Sequence, residues 1–462
     1  MFAGFDYGTS NCAIGIVKHS PAKDTHHQEV QLLPIDQGQR FMPSALYALE
    51  RELICESVGK QISEQTLQKD YITLRKNQLA QAQRVRLEYD INPTEQSLYV
   101  GQQAFEQYLA LPSDGYFVKS PKSFLGASGL RPEFVQFFED IVTAMMQTIK
   151  QRAEAALGAS INHTVIGRPV NFQGTNTEDS NRQAIEILTI SAKRAGFKSI
   201  EFLYEPLAAG LDYEARMSQN KVVLVVDVGG GTSDCAMVRM GPDHRNQQQR
   251  TDDFLGHSGE RIGGNDLDIQ LAGKVLMPLF GMQSQLKSGL PMPTQAYWDA
   301  VSTNDVGAQA NFNSLRTEQS LRQLLLDTRE PQLLKRFINL REDKQNYQLV
   351  RSAEQCKIAL SDTNIAPVDL DYIEDGLECH VDQQQFARAI ERPLLRIVAL
   401  MEEAINQAGC QPDLIYVTGG SAKSPVIRQA IKQHLGAIEV VDGDHFGSVA
   451  AGLTVWAEKL FK

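Results

Sequence analysis

Two segments far apart in the chain join an aspartate to a glycine turn and a threonine: Phe5-Asp6-Tyr7-Gly8-Thr9-Ser10-Asn11 and Asp227-Val228-Gly229-Gly230-Gly231-Thr232-Ser233-Asp234. A tight turn at Gly8 lets backbone N–H groups converge on an anion, and Thr9 and Ser10 add hydroxyl donors. Asp6 would repel a bare phosphate, so it suits such a site only with a divalent cation between the two. The first segment alone could equally be an ordinary hairpin. The second narrows the choice. Three successive glycines cost folding entropy without adding packing, and they follow Val222–Val226, which reads as a strand buried on both faces. Something must approach that backbone closely. No GxxxxGK[ST] segment occurs, and the glycine run neither spells GxGxxG nor leads into a helix, which excludes P-loop and dinucleotide-binding chemistry.

The elements that would carry these turns are short strands. Phe2–Phe5 and Ala13–Val17 flank the first turn, and Lys221–Asp227 and Cys235–Met240 flank the second. The repeated strand–turn–strand device implies two similar lobes facing each other. Pro132–Leu157 has the spacing of a long amphipathic helix, with Phe134, Phe138, Ile141, Met145 and Ile149 on its apolar stripe. Thr164–Gly167, Ile200–Tyr204 and Leu414–Thr418 read as further strands, and Asn181–Gly196, Pro425–His434 and Phe446–Lys462 as helices. Alternating strands and helices make an α/β protein. Glu50–Ser97, with Gln-rich Gln78–Arg84, and Ser284–Tyr347 read as polar insertions made of surface helices.

The chain has 462 residues, 42% hydrophobic and 22% charged, which suits a folded protein of two to four structural units. Its formal charge of −11 disfavours non-specific binding to nucleic acid or an anionic membrane. Cys12, Cys55, Cys235, Cys356, Cys379 and Cys410 are scattered without a CxxC pair, which argues for reduced, buried or half-buried thiols rather than a zinc site or disulfides. The start of the chain lacks the pattern of a signal peptide, and no apolar run reaches the ~20 residues that span a bilayer. A cytoplasmic protein is expected.

Taken together, Asp6-Tyr7-Gly8-Thr9, Asp227 to Thr232 and Val417-Thr418-Gly419-Gly420-Ser421 resemble the two phosphate loops and the adenosine loop of the actin, sugar-kinase and heat-shock ATPase superfamily. Further segments resemble the nucleotide-binding half of the seventy-kilodalton heat-shock chaperones. They are Pro43-Ser44, Val100-Gly101-Gln102-Gln103-Ala104, Lys122-Ser123-Phe124-Leu125-Gly126 and Ala192-Lys193-Arg194-Ala195-Gly196-Phe197. Tyr204-Glu205-Pro206-Leu207-Ala208-Ala209-Gly210, Gly263-Gly264-Asn265-Asp266-Leu267-Asp268 and Glu354 to Ser361 complete the set. They are also similar to the YegD-type branch of the DnaK-like proteins.

The resemblance implies a two-lobed actin-like ATPase fold, each lobe a mixed sheet flanked by helices with a smaller inserted subdomain. Lobe I would span 1–218, with an insert at about 45–130 and the terminal helix 442–462; lobe II would span 219–441, with an insert at about 255–385. Pro206–Arg216 and Phe446–Leu460 would be the crossing helices of the hinge. ATP or ADP with Mg2+ is the implied ligand. Asp6 and Asp227 would hold the metal through its water shell, and Gly8, Thr9, Ser10, Asn11, Gly229, Gly230, Gly231 and Thr232 would cradle the phosphates. Lys122, with Lys119 as the weaker candidate, would reach the γ-phosphate, and Glu205 would orient the attacking water. Without that context Lys122 reads as a surface charge and Glu205 as a helix cap. Glu354, Lys357 and Ser361 would face Gly419, Gly420 and Ser421 across the adenosine, with Lys423 beside the base and Asp444 on the ribose side.

Lys423 stands where the family places a stacking arginine, and Ile358 replaces a basic residue on the opposite wall; both weaken the expected grip on adenine. The linker, β-sandwich and helical lid of a complete chaperone have no counterpart after Phe446–Lys462, so no site for an unfolded peptide is expected. The implied function is a chaperone-like ATPase read by an unnamed protein partner. A sugar or acyl kinase and an actin-like filament protein are the alternatives.

Overall fold

Strands Phe2–Tyr7 and Asn11–Lys18 form an antiparallel hairpin, with Asp6 opposite Ala13, so the turn carrying Gly8, Thr9 and Ser10 sits at a strand end. In this computed structural model, which describes residues 1–462 apart from 19–28, 113, 128, 173–176, 246, 248, 249, 437 and 444–446, the hairpin is the middle of a larger sheet. His163–Arg168 pairs in parallel with Phe2–Tyr7, and Ser199–Tyr204 lies beyond it. Glu29–Leu32 closes the other side.

A second sheet repeats the same order. Lys221–Val228 pairs antiparallel with Ser233–Met240, bringing Asp227 opposite Asp234 across the glycine turn. Leu414–Thr418 runs parallel to Lys221–Val228, Val440–Asp442 lies outside it, and Phe254–Glu260 closes the far edge. Val223, Leu224, Val225, Val226 and Val228 are wholly buried. A β-branched run of that kind fits a strand covered on both faces.

Two helices fill the space between the sheets. Ser448–Phe461 packs on the first sheet, where a Cβ at Gly4 would lie 2.1 Å from the Thr454 backbone nitrogen. Glu205–Glu214 packs on the second, with Gly210 against the Met240 side chain. The helices meet at Gly452, where a Cβ would lie 1.7 Å from the Ala208 carbonyl oxygen. The layer order is thus sheet, helix, helix, sheet, and Val165, Leu207, Val225, Tyr416 and Leu453 share the central core. These layers bear out an α/β architecture.

The expected helix over Pro132–Leu157 forms with those bounds, entered at Pro132 and ended by left-handed Gly158. Its stripe is buried at Phe138, Ile141, Met145 and Ile149, whereas Phe134 remains 37% exposed. Cys12, Cys55, Cys235 and Cys356 are buried free thiols and Cys379 is half-buried, but Cys410 is exposed.

The polar stretches are more than surface helices. Helices Leu53–Gln61, Gln65–Leu74 and Lys76–Glu88 flank a small sheet of Ala45–Ala48, Leu98–Val100 and Tyr116–Lys119. Arg75, between two of them, is fully buried; its Nε donates to Asp140 at 2.9 Å and its Nη2 to Glu139 at 2.8 Å. Tyr71 donates to the other Asp140 oxygen at 3.0 Å. In the later stretch, helices Gln295–Val301, Val306–Phe312, Leu315–Asp327 and Pro331–Glu342 bury Tyr297, Phe312, Leu321, Leu334 and Phe337 in a core continuous with the second sheet.

Removing one member of a buried ion pair leaves its partner charged and uncompensated. Arg75→Met should therefore destabilise the fold by about 3–5 kcal/mol in urea unfolding. A loss below ~1 kcal/mol, typical of an exposed pair, would contradict the structural role given to this arginine.

Candidate functional site

The two hairpin turns face each other across a cleft of about 930 Å³, part of it open to solvent. A Cβ on Gly230 would lie 1.9 Å from the Ser10 hydroxyl oxygen, and one on Gly231 would lie 2.5 Å from Thr9 Cγ2. None of the three glycines has a positive φ. The run is therefore set by close approach, and the first group that approaches is the opposite turn. Helix Gly264–Leu271 starts against the same backbone: the N–H groups of Gly264 and Asn265 donate to the Gly229 and Gly230 carbonyls at 2.9 and 2.7 Å.

Behind the turns lies a buried charged cluster. Glu205, Asp227 and Asp234 are buried and Asp6 is half-buried at the cleft, with Lys122 the cation facing them. Lys122 pairs directly with Glu205. It stands on the short helical turn Pro121–Phe124, and Glu205 is the first residue of helix Glu205–Glu214, whose N-cap is Tyr204. The surface-charge and helix-cap readings of these two residues therefore fail. Burial opposes the Lys122 charge, but the Glu205 and Asp6 carboxylates outweigh it and raise its pKa.

Burial pushes the Asp6 carboxyl up to about 7, with the Glu205 charge adding to it and Lys122 opposing. Burial and Glu205 likewise push Asp234 up to about 7 and Asp227 well above the usual range. Four carboxylates around one ammonium call for a further cation, since buried negative charge without a partner is costly. Among the described residues no group of three or more His, Cys, Asp or Glu stands close enough to grasp a metal ion directly. A hydrated cation, held through its waters, fits this donor set better than a bare one.

The other end of the cleft is lined by Gly264, Glu354, Lys357 and Ile358 on one wall and by Gly419, Gly420, Ser421, Ser448 and Val449 on the other. Gly419 takes a φ of +89°, and a Cβ there would lie 2.3 Å from the Val228 carbonyl oxygen, so the strand can turn this close to Asp227 only at glycine. Lys357 binds Asp268 at 2.8 Å, and Glu354 binds Lys119 at 2.7 Å. Burial would raise the Glu354 pKa, but Lys119 and Lys357 override that and hold it at about 2.

The cleft gathers Asp6, Gly8, Thr9, Ser10, Asn11, Glu205, Asp227, Gly229, Gly230 and Thr232 at the turns, with the adenosine-side residues just named. It leaves out Gly231, which packs on Thr9, and Lys122, which lies behind Glu205. Ser361 is also off the wall, its hydroxyl turned to the Lys357 carbonyl at 3.4 Å, and Lys423 is exposed beyond it. Lys119 is tied to Glu354 and away from the turns. Asp444 lies outside the described residues. Reading the sequence missed the braces. Ser44 donates to the Gly8 carbonyl at 2.7 Å, Asp234 accepts from the Val170 N–H at 2.7 Å, and Asn265 donates to Ser120 at 3.1 Å.

The fold and cleft define a protein built on two like-ordered sheets whose hairpin turns face each other across a cleft. A model of the Hsp70 protein family matches residues 131–281 and 327–460, more than half of the chain, so this chain belongs to the Hsp70 family and its fold is the actin-like ATPase fold. The chain is 27% identical over 309 residues to the chaperone protein DnaK of Trichormus variabilis, covering 64% of this chain and 35% of that protein. It is 24% identical over 400 residues to DnaK of Elusimicrobium minutum, covering 79% and 54%, and 24% identical over 320 residues to the chaperone protein HscA of Photorhabdus laumondii, covering 68% and 40%. The matched part thus spans about a third to a half of these relatives. Among the described residues no helix is long and apolar enough to cross a membrane.

The raised carboxyls have a consequence for stability. An unfolded chain releases these protons near pH ~4, whereas the folded protein retains them towards pH ~7. The unfolded state therefore gains stability first as pH rises, and folding stability falls across this window. In EDTA, the melting temperature should drop between pH 5.5 and 8, and Asp234→Asn should flatten the drop. A wild-type curve that rises over the same range, unchanged in Asp234→Asn, would refute the assignment.

Proposed function

We propose that this chain binds ATP and ADP with Mg2+ between its two halves, hydrolyses ATP to ADP and phosphate, and acts as a chaperone-like switch whose closure is read by a protein partner. The observation that carries the reading is the pair of glycine turns in contact at the floor of a cleft, backed by a buried surplus of carboxylates. The halves are 1–218, with the insert at about 45–130 and the terminal helix 442–462, and 219–441, with the insert at about 255–385. A cytoplasmic location is part of the same reading.

Phosphates would lie between the turns, on the backbone N–H groups of Gly8 to Asn11 and of Gly229 to Thr232, with the Thr9, Ser10 and Thr232 hydroxyls as further donors. Asp6 and Asp227 would hold Mg2+ through its water shell, and the ion neutralises charge on the phosphate oxygens when bound. Lys122 brings a fixed positive charge to the terminal phosphate. Glu205, aligned by Lys122, orients the attacking water and accepts its proton. This division suits phosphoryl transfer, which depends on positioning and charge neutralisation more than on covalent help.

The base would rest between Ile358 and the Gly419–Ser421 backbone, with the ribose near Glu354 and Lys357. Ile358 is 58% exposed, so its side chain is an apolar face waiting at the cleft wall. Such a wall holds a base by contact area and discriminates poorly between purines, because no charged plane stacks on it.

Calorimetry with ATP and ADP, run beside phosphate release, tests the reading. Wild type should bind both nucleotides with magnesium, and folded Asp227→Ala should lose most of that affinity. Lys122→Ala should keep binding while phosphate release falls about 100-fold or more, the scale of losing one electrostatic donor to a transition state. Folded wild type that binds no nucleotide would overturn the proposal, and phosphate passed to a metabolite faster than to water would move it to the kinases.

A further inference from the structure

A second cavity, sharing no lining residue with the phosphate cleft, opens between the two inserts and measures about 590 Å³, part of it open to solvent. One side is aromatic: Tyr116 and Phe117 from strand Tyr116–Lys119, Phe124 from the turn after it, and Phe134, Phe137 and Phe138 from the first turns of helix Pro132–Leu157. Thr303, Asp305, Val306 and Gln309 form the facing side, and Tyr347 joins the two. The rings are ordered among themselves. Tyr116 meets Phe137 edge-on at 5.6 Å, Phe117 meets Tyr347 edge-on at 5.5 Å, and Phe124 stacks on Phe138 at 5.5 Å.

Three features separate this cavity from a packing defect. Its aromatic rim is left half-exposed, and Phe134 and Val306 are 37% and 45% exposed at the mouth. A rim of large apolar side chains around a concave space is characteristic of a ligand pocket at a domain junction. Arg51 also lines the cavity, with its guanidinium 4.1 Å from the Phe137 ring centroid and 5.8 Å from that of Tyr116. It has no carboxylate partner among the described residues, whereas the carboxylate across the mouth, Asp305, accepts from its own helix at Ala308 N, 2.9 Å away. Finally, Arg51, Tyr116, Phe117 and Phe124 and the facing side at 303–309 all fall outside the residues matched by the Hsp70 family model.

We propose that this cavity is a second binding site, separate from the phosphate cleft, for a flat aromatic anion seated among the rings with its acidic group on Arg51. A planar ring system matches the ring walls by offset and edge contacts. The guanidinium, already placed against Phe137, can present N–H donors to a carboxylate or sulfonate. Because the walls come from both inserts, an occupant favours the arrangement that holds them together.

The test is a fluorescence titration with 8-anilinonaphthalene-1-sulfonate, without nucleotide, followed by competition with 2-naphthoate and with its neutral counterpart 2-naphthalenemethanol. Arg51→Gln should weaken the probe and naphthoate about tenfold, the effect of losing one charge-assisted contact, and leave the alcohol within about twofold. Val306→Glu, on the opposite wall, should weaken both competitors. Both substitutions are at exposed positions, and unchanged thermal melts would show that the fold survives. The proposal fails if wild type binds neither probe nor naphthoate, if both variants bind them as wild type does, or if the neutral alcohol competes as well as the acid.

Discussion

Everything in the cleft depends on one steric constraint: the turns of two separate sheets touch backbone to side chain, Gly230 against Ser10 and Gly231 against Thr9. A single methyl group at either glycine has no room, although neither adopts a left-handed conformation. That contact requires the sheets to lie close together, and no hairpin can set such a spacing by itself. The pair of helices between the sheets sets it. Gly4 lets helix Ser448–Phe461 lie directly on the first sheet, and Gly452 lets helix Glu205–Glu214 lie directly on its neighbour. Small residues at both crossings make the layers thin enough for the turns to meet.

The same helix that sets the spacing carries the chemistry, since Glu205 is its first residue. Its partner Lys122 is positioned by a strained approach. Ser120, just before the lysine's turn, has φ +56°, a conformation costly for a residue with a Cβ. Two bonds hold it there: its N–H donates to the Ser44 carbonyl at 2.7 Å, and its hydroxyl accepts from Asn265 at 3.1 Å. Asn265 begins the helix seated on the glycine run. The lysine on one side is thus aimed by a residue of the other, and Ser44 braces both Ser120 and the first turn.

What could be read in advance follows from how local each signal is. The twin hairpins, the valine strand and helix Pro132–Leu157 were legible because period and punctuation lie within a few residues of each other. The role of Lys122 was legible only through a family resemblance, because nothing within its own segment distinguishes a buried lysine from a solvated one. Arg75 shows the limit: in a Gln-rich polar stretch it reads as surface, and the carboxylates that bury it are contributed by Glu139 and Asp140 from a helix far along the chain. Ser44, Asp234 and Asn265 escaped for the same reason, since a brace is defined by its partner. Phe134 failed in the opposite sense. It keeps the period of the buried stripe, but it lies one turn beyond the core and faces the second cavity instead.

Away from the helices, the two sides also meet over the cleft, and there the magnitudes decide what matters. Lys119 and Glu354 form a largely buried ion pair, and in such pairs the desolvation of both charges offsets much of their attraction. Beside them Tyr108 stacks on Phe117 at 4.4 Å, Tyr347 meets Phe117 edge-on at 5.5 Å, and the Arg351 guanidinium sits 4.1 Å from the Phe105 ring centroid. Ring pairs and cation–π contacts of this kind contribute about 0.5–1.5 kcal/mol each beyond the area they bury, and Tyr108 adds a hydrogen bond to the Lys344 carbonyl at 2.8 Å. The bridge over the cleft is therefore mainly aromatic, with the ion pair as a minor part. Since Phe117 and Tyr347 also line the second cavity, parting the bridge and reshaping that cavity are one event: neither ring can leave its neighbour without opening the wall behind it.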